Sequence, residues 1–180
     1  MNYRAIFPPL LPPPNKMIVI ADTTPIITLL KIGHFDILRD LYKNVHIPRA
    51  VFRELTENSD YVDEALAVRR ADFLIIRDDI SAEKVDLLRR ATGLDQGESE
   101  AIILADTNET KVLIIDESHG RAVAEQMNIK ITGVIGVLIA AYKKNLLSDT
   151  QIKESVDVMR QSNRFISETL YKLLLSIIEK

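Results

Sequence analysis

The chain has 180 residues, 47% of them hydrophobic and 27% charged, which is the balance of a soluble globular protein with a single core. It contains no cysteine, which excludes disulfide frameworks, thiol nucleophiles, iron–sulfur clusters and cysteine-based zinc sites. Its 23 basic and 26 acidic residues give a net charge of −3, which argues against coating duplex nucleic acid by bulk attraction and leaves open local handling of a strand through a metal ion.

Residues 1–16 are predicted to form a proline-rich disordered tail. Five prolines lie between Pro8 and Pro14, and they would interrupt the helical apolar region of a signal peptide. A mis-assigned start and a docking tail are alternatives that the composition leaves open. No run approaches the roughly 20 apolar residues that a membrane helix needs. We therefore expect a cytoplasmic protein.

Residues 17–147 are predicted to form one domain, in which short apolar runs alternate with segments of helical periodicity. The runs are rich in Val, Ile, Leu and Phe, as is typical of strands buried on both faces, and span 17–22, 44–48, 72–78, 111–116 and 128–132. Apolar spacings of three and four predict helices within 26–42, 48–55, 85–90, 95–106, 120–127 and 134–143. This alternation predicts an α/β fold with a doubly wound parallel sheet and helices on both faces.

Residues 148–180 are predicted to form a C-terminal helical extension. Ser148 or Asp149 suits the cap of a helix that carries Ile152, Val156 and Met159. The segment 165–178 is too apolar for a helix that is surrounded by water on all sides. It therefore packs either on the domain or on a dimer partner, and both alternatives stay open.

Two acids lie at strand ends, where ligands bind in open α/β sheets. Asp22 follows the first predicted strand, and Asp116 ends the fourth. Thr24 before Pro25, and Ser118 after the second acid, are predicted to cap the helices that follow. Both acids are then left without a structural task, which favours a functional role.

Two glutamates on predicted helices are further candidates. Glu98 has the capping-box spacing from Asp95 and also lies on the core-facing stripe of its helix, where a carboxylate needs a cation. Capping and ligand binding both remain open for it. Glu54 lies near the apolar side of the helix that begins at Pro48, and taken alone it is interpreted as an exposed side chain. Glu100 lies off the stripe and is expected to be solvated.

Such a set of acids predicts a metal site. Hard oxygen ligands with no cysteine and only three histidines suit Mg²⁺ or Mn²⁺ rather than zinc. Clustered carboxylates repel one another, and a divalent ion explains their joint presence. His119 is placed to assist, although a surface position is favoured for it. His34 and His46 are given no role.

Four blocks of the sequence resemble, in order and spacing, a prokaryotic family of uncharacterised PIN-domain proteins. They are VIADTTPIITLLKIG, NVHIPRAVFREL, GLDQGESEAIILA and VLIIDESHGRAVAEQMNIKITGVIGVLIAA. The resemblance runs from about Ile18 to Leu147 and continues into the C-terminal helices. It implies a three-layer α/β/α sandwich with a five-stranded parallel sheet, and a metal-dependent ribonuclease that hydrolyses single-stranded RNA. PIN relatives include toxins of toxin–antitoxin modules, so a small antitoxin protein is a candidate partner, as is a second copy of the chain.

The resemblance also assigns roles to particular residues. The family's catalytic acids fall on Asp22, Glu54, Glu98 and Asp116. The ion, Mg²⁺ or Mn²⁺, is expected at Asp22, Glu98, Asp116 and Glu117. Substrate is expected to contact Thr24, Ser118 and Arg121, with the arginine on a backbone phosphate. A surface ion pair of Arg121 with Glu117 or Glu125 is the alternative. Glu98 stands where many PIN proteins have aspartate, a departure that changes its reach.

Other readings of the strand-end acid fit less well. A phosphatase of the haloacid dehalogenase type needs a second acid two residues after the first, where this chain has Thr24. A response-regulator receiver domain needs adjacent acids near the first strand and a lysine after the fifth, where this chain has Thr132 and Gly133. The remaining alternative is a PIN-fold protein that binds nucleic acid or a partner and cuts nothing.

Overall fold

A computed structural model describes residues 18–57, 62–161 and 168–178, so the tail predicted for residues 1–16 lies outside the described residues. The strands are β1 (Ile18–Ala21), β2 (Val45–Pro48), β3 (Leu74–Arg77), β4 (Thr110–Ile114) and β5 (Ile131–Thr132). The helices are α1 (Thr23–Lys31), α2 (Ile37–Tyr42), α3 (Arg49–Glu57), α4 (Val62–Arg70), α5 (Ala82–Thr92), α6 (Gln96–Asp106), α7 (Ser118–Gln126), α8 (Val134–Lys143), α9 (Asp149–Gln161) and α10 (Glu168–Ile178).

The five strands form one parallel sheet in the order β3-β2-β1-β4-β5. Successive side chains of a strand point to opposite faces of the sheet. Val19 and Ala21 of β1 accordingly join a large apolar cluster with residues of α1, α2, α3, α8, α9 and α10. Ile20 joins a smaller cluster with residues of α6 and α7. Helices therefore cover both faces, which confirms the predicted three-layer α/β/α architecture.

The carboxyl ends of the two central strands lie side by side. Ala21 of β1 pairs with Ile114 of β4, and the backbone N–H of Asp22 donates to the Ile114 carbonyl at 3.0 Å. The chain winds outward from β1 through β2 to β3 and then returns to place β4 on the other side of β1. This reversal is the switch point where doubly wound folds bind ligands.

Several elements differ from the sequence-based prediction. Helix α3 begins at Arg49 rather than at Pro48, which is the last residue of β2. Helix α4 is not predicted, because its buried side chains, Ala65 and Val68, form a weak apolar stripe while Val62 and Leu66 are exposed. Strand β5 is shorter than predicted. The backbone at Asn128 takes a φ of 59°, and its N–H bonds back to the last turn of α7, so regular pairing starts only at Ile131.

The C-terminal helices pack within the chain. Ile152 and Val156 of α9, together with Leu174 and Ile178 of α10, are buried in the large cluster. The Ser148 hydroxyl accepts a hydrogen bond from the backbone N–H of Gln151 at 3.3 Å and so caps the start of α9. Within the described residues, no helix has the length and apolar character needed to span a bilayer.

Candidate active site at the carboxyl end of the sheet

Asp22 is a buried acid directly after β1, with a relative exposure of 2%. Helix α1 begins at Thr23, so the prediction that Thr24 caps this helix and Pro25 starts it was wrong. Pro25 is tolerated there because backbone N–H groups in the first turn of a helix lack helical partners. Asp22 occupies the cap position, yet its side chain forms no capping hydrogen bond. Its carboxylate is therefore buried without that structural task.

The electrostatic surroundings of Asp22 disfavour its charged form. Burial, above all, raises the pKa of Asp22 to about 7, and a hydrogen bond from the backbone N–H of Thr23 offsets only part of this effect. The negative charges of Glu98, Asp95 and Glu54 raise the pKa further. A divalent cation would reverse this balance, because it stabilises the carboxylate form.

Glu98 lies in the first turn of α6 with a relative exposure of 7%. Its backbone N–H donates to Asp95 Oδ1 at 2.8 Å, and its Oε2 accepts from the Asp95 backbone N–H at 3.3 Å, which completes the capping box. Its other carboxylate oxygen, Oε1, is buried and has no hydrogen-bond partner within the described residues. The sequence left both capping and ligand binding open for Glu98. In the structure Oε2 takes part in the capping box, and Oε1 is the oxygen that a ligand could contact.

Burial also raises the pKa of Glu98. The Asp95 backbone N–H opposes this shift, the charges of Asp95 and Glu117 add to it, and nearby His119 partly offsets it. Leaving a carboxylate oxygen buried and unpaired costs free energy. The orphaned Oε1 is therefore the atom of this site that is best placed to gain from a cation.

Glu54 of α3 is exposed, but its carboxylate is held in place. Oε2 accepts a hydrogen bond from the Thr23 hydroxyl, which ties α3 to the start of α1. Desolvation raises the pKa of Glu54 and the Thr23 bond opposes the rise, while the charges of Asp95 and Glu100 add to it. Glu54 therefore belongs to the same acidic cluster as Asp22 and Glu98.

Asp116 and Glu117 follow β4 at the same end of the sheet, but they make different contacts. Asp116 Oδ1 accepts from the backbone N–H of Val134 at 3.0 Å, at the start of α8. The exposed Glu117 accepts from the Thr24 hydroxyl at 3.1 Å through Oε1. The charges of Glu54 and Glu98 act on Asp22, and that of Glu117 acts on Glu98, so these acids share one end of the sheet, where Asp116 also contacts the start of α8.

The residues expected to contact substrate lie on both sides of this edge. Thr24 and Arg121 line a cavity of about 490 Å³, whose walls include Asp116, Ile135 and Met159. Arg121 NH1 donates to the Ile115 carbonyl at 2.8 Å. In the described part of the chain the ion pairs join other residues, so the alternative surface pair of Arg121 with a glutamate is not seen.

Two smaller predictions about this region were wrong. Ser118 is the first residue of α7 and Glu117 occupies the cap position, so Ser118 does not cap the helix as predicted; its side chain is exposed. Glu100 is partly buried rather than solvated, because it accepts hydrogen bonds from the backbone N–H of Ala50 and from Gln96. Glu100 thereby joins α6 to the start of α3.

The acids suit a hard divalent cation with an incomplete protein ligand set. Among the described residues, no three acidic or histidine side chains are arranged to hold a metal ion together. Mg²⁺ in nucleotide-handling sites is commonly held by one or two carboxylates, with waters and substrate phosphates completing its shell. Buried Asp22 and the orphaned oxygen of Glu98 are two groups that could serve as such a set.

Thr23 has no role in the sequence-based prediction, and Asp95 is predicted only to cap a helix. Thr23 fixes Glu54, and the charge of Asp95 raises the pKa of three acids of the cluster, Asp22, Glu54 and Glu98. The sequence does contain a signal that could have pointed to Thr23, because its hydroxyl directly follows the strand-end acid Asp22. No local signal exists for the long-range effect of Asp95, since it depends on how α6 packs against β1.

The protein thus has a five-stranded parallel α/β/α sheet, and buried acids lie at its switch point, where the central strands end. A protein-family model described as a PIN domain matches residues 18–180, and the chain belongs to the PIN-domain family. The match confirms the resemblance seen in the four sequence blocks, and the fold is of the nuclease type. No curated protein and no solved structure matches the chain.

Proposed function

We propose that the protein is a metal-dependent ribonuclease that hydrolyses phosphodiester bonds of single-stranded RNA. One observation carries the proposal: Asp22 and Glu98 are buried, both have raised pKa values, and Glu98 Oε1 has no partner within the described residues. Such a pair opposes folding unless it serves a ligand, and a divalent cation is the ligand that matches its charge and oxygen chemistry.

Asp22 and Glu98 would hold the ion, Mg²⁺ or Mn²⁺. When bound, such an ion stabilises the negative charge that develops on the phosphodiester and favours ionisation of the attacking water. Glu54, held by the Thr23 hydroxyl at the solvent side, is placed to orient water. In this proposal Asp116 and Glu117 lie next to the ion on the β4 side.

Family membership and the position of Arg121 support the substrate side of the proposal. Membership of the PIN-domain family supports a nucleic-acid substrate, and the choice of single-stranded RNA comes from the family resemblance. Arg121 is half-buried beside the cavity and uses one N–H in its bond to the Ile115 carbonyl. A guanidinium has five N–H donors, so the same side chain is placed to donate to a phosphate.

A cleavage assay tests this function. The full chain is incubated with a varied pool of single-stranded RNA in Mg²⁺, in Mn²⁺ or in EDTA. We expect cleavage in either metal and none in EDTA. Asp22→Asn should reduce cleavage by at least about 100-fold, because the amide keeps the shape and loses the charge that binds the ion.

Glu100→Gln is the matched control on α6. The amide oxygen still accepts the hydrogen bond of the Ala50 N–H, and Glu100 is not one of the proposed metal ligands, so this variant should cut at close to the wild-type rate. Absence of metal-dependent cleavage by the wild type, or equal cleavage by Asp22→Asn, would contradict the enzyme proposal. A PIN-fold protein that binds nucleic acid or a partner without cutting would then be the better explanation.

A toxin role is a narrower form of the same proposal. Its support is the family resemblance, with a small antitoxin protein as the implied partner. Induced expression of the wild type in a bacterial host should arrest growth, whereas Asp22→Asn at equal protein level should not. Equal growth of the two strains would argue against a toxin.

A further inference from the structure

The chain has six glycines, and they fall into two groups. Gly33 and Gly93 have φ values of +72° and +78° with open space around them, so they serve turns that favour glycine. The other four are Gly97, Gly120, Gly133 and Gly136. Their backbones lie outside the left-handed region, and at each of them an added Cβ would approach another atom within 3.0 Å.

Three glycines of the second group lie against carboxylates of the acidic site. The pairs are Gly97 with Glu54, Gly120 with Glu98 and Gly133 with Asp116. At these positions the absence of a side chain provides room for a carboxylate oxygen. The fourth, Gly136, provides room for the Thr132 hydroxyl.

Gly97 is the clearest case. It is buried at the second position of α6, and the three atoms nearest to an added Cβ all belong to the Glu54 carboxyl group: Oε1 at 2.8 Å, Oε2 at 3.1 Å and Cδ at 3.2 Å. Gly120 differs, because a Cβ there would also meet Ile115 Cδ1 at 2.7 Å, so core packing already explains it. A Cβ at Gly133 would meet Asp116 Oδ1 and also lies 3.4 Å from Arg121, whereas at Gly97 all three nearest atoms belong to one acid, so a change at Gly97 tests that acid alone.

Glycine is an unfavourable choice for this position on local grounds. Alanine is the better helix former, and nothing in the backbone conformation of Gly97 requires glycine. What glycine permits is the approach of the Glu54 carboxylate to the first turn of α6, where the helix dipole favours negative charge. At that place Glu54 also accepts the Thr23 hydroxyl.

We propose that Gly97 is a positioning residue for Glu54: it leaves the space in which the Glu54 carboxylate lies between the start of α6 and the Thr23 hydroxyl. The inference rests on the proposed function for its catalytic consequence, since Glu54 is one of the acids of that site. The packing itself does not depend on the reaction.

A methyl group at position 97 would displace the carboxylate rather than the helix. The Glu54 carboxyl group is the far end of a flexible side chain, whereas α6 is fixed by the core residues Ile102 and Leu104. The displaced Glu54 carboxylate would lose its hydrogen bond from the Thr23 hydroxyl, and its position relative to Asp22 would change. Gly97→Ala should therefore fold and yet misplace the acid.

A thermal double-mutant cycle tests the packing. Gly97→Ala is made in the wild type and in Glu54→Ala, where the space is open. In the Glu54→Ala background we expect the melting temperature to rise by about 2 to 4 °C, the helix-propensity gain of alanine in a chain of this size. In the wild-type background the gain should vanish or reverse. Equal shifts in both backgrounds would overturn the proposal, as would failure of Gly97→Ala to fold in both backgrounds.

RNA cleavage tests the consequence. Gly97→Ala should lower kcat by about 10- to 100-fold with little change in KM, the range seen when residues that support a metal site are altered. Gln96→Ala, in the same turn of α6, is the control and should keep the wild-type kcat. A wild-type kcat in Gly97→Ala would overturn the positioning role. If the wild type cuts no RNA at all, the proposed function fails, while the thermal cycle still decides whether Gly97 positions Glu54.

Discussion

Asp22 makes the stability of the metal-free protein depend on pH. Its pKa is about 7 in the folded chain against an ordinary 3.8. Between about pH 4 and 7 the unfolded chain gives up this proton first, so the free energy of unfolding falls as pH rises and levels off above about pH 7. At about 1.4 kcal/mol per pH unit, the loss is on the order of 4 kcal/mol.

Asp22→Asn should remove this loss. In EDTA we expect the variant to melt at least about 5 °C above the wild type at pH 8, and the difference should shrink toward pH 4. Melting curves recorded from pH 4 to 8 for both proteins give the comparison. If the melting temperatures of the two proteins change in parallel with pH, the pKa of Asp22 is not raised by folding.

Glu98 separates capping from metal binding, because each oxygen has its own task. Glu98→Gln keeps an oxygen for the Asp95 backbone N–H and removes the charge, so the metal-free variant should be at least as stable as the wild type. Millimolar Mn²⁺ should raise the melting temperature of the wild type by ligand linkage and leave Glu98→Gln unchanged. An equal Mn²⁺ shift in both proteins would remove Glu98 from the metal site.

Single residues were predictable to the extent that their role depends on neighbours in sequence. Asp22 and Glu98 stood out because strand-end position and helical stripe are local patterns. The contact of Asp116 with Val134 and that of Glu54 with Thr23 join residues 18 and 31 positions apart. They depend on the placement of α8 and α3 in the fold, which no local pattern contains.

Among the secondary-structure elements, α6 contributes to the site through its capping box, which holds the first turn of the helix in place. The Asp95 carboxylate accepts the Glu98 backbone N–H at 2.8 Å and so fixes the first turn that carries Glu98. Asp95→Ala should lower the free energy of unfolding by about 1 kcal/mol, as loss of a helix cap usually does. Asp95→Asn keeps a capping oxygen and serves as the control in urea denaturation. Equal losses in both variants would mean that charge, not capping, is what Asp95 contributes.

Strands were easier to predict than helix starts. A strand buried on both faces is a nearly continuous apolar run, and each of the five runs overlaps a strand. Helix starts depend on which residue takes the cap, and Asp22 and Glu117 occupy positions that local preference gives to Thr24 and Ser118. Helix α4 was not predicted, because alanine contributes little to an apolar pattern.

At the scale of the molecule, the C-terminal helices and the sheet share one core. Leu174 of α10 is fully buried in the large cluster. Leu174→Ala should lower the free energy of unfolding by about 2 to 5 kcal/mol through lost burial and the cavity left behind. Leu87, which is 70% exposed on α5, is the control, and its change to alanine should cost less than about 0.5 kcal/mol.

The concentration dependence of that effect separates two arrangements of the C-terminal helices. Because Leu174 packs within its own chain, the melting temperatures of wild type and Leu174→Ala should not change between dilute and about 20-fold more concentrated protein. A melting temperature that rises with concentration in the wild type and not in Leu174→Ala would instead place this residue in a dimer contact.

In the proposed site, buried acids at the end of β1 and the start of α6 hold a divalent cation, and anomalous scattering from manganese can locate that ion. Crystals of the full chain are soaked in Mn²⁺ near pH 8, where Asp22 is ionised. We expect one strong anomalous peak within coordination distance, about 2.0 to 2.6 Å, of a carboxylate oxygen of Asp22 and of Glu98 Oε1. A map without manganese at these two side chains, at a concentration that supports cleavage, would contradict it.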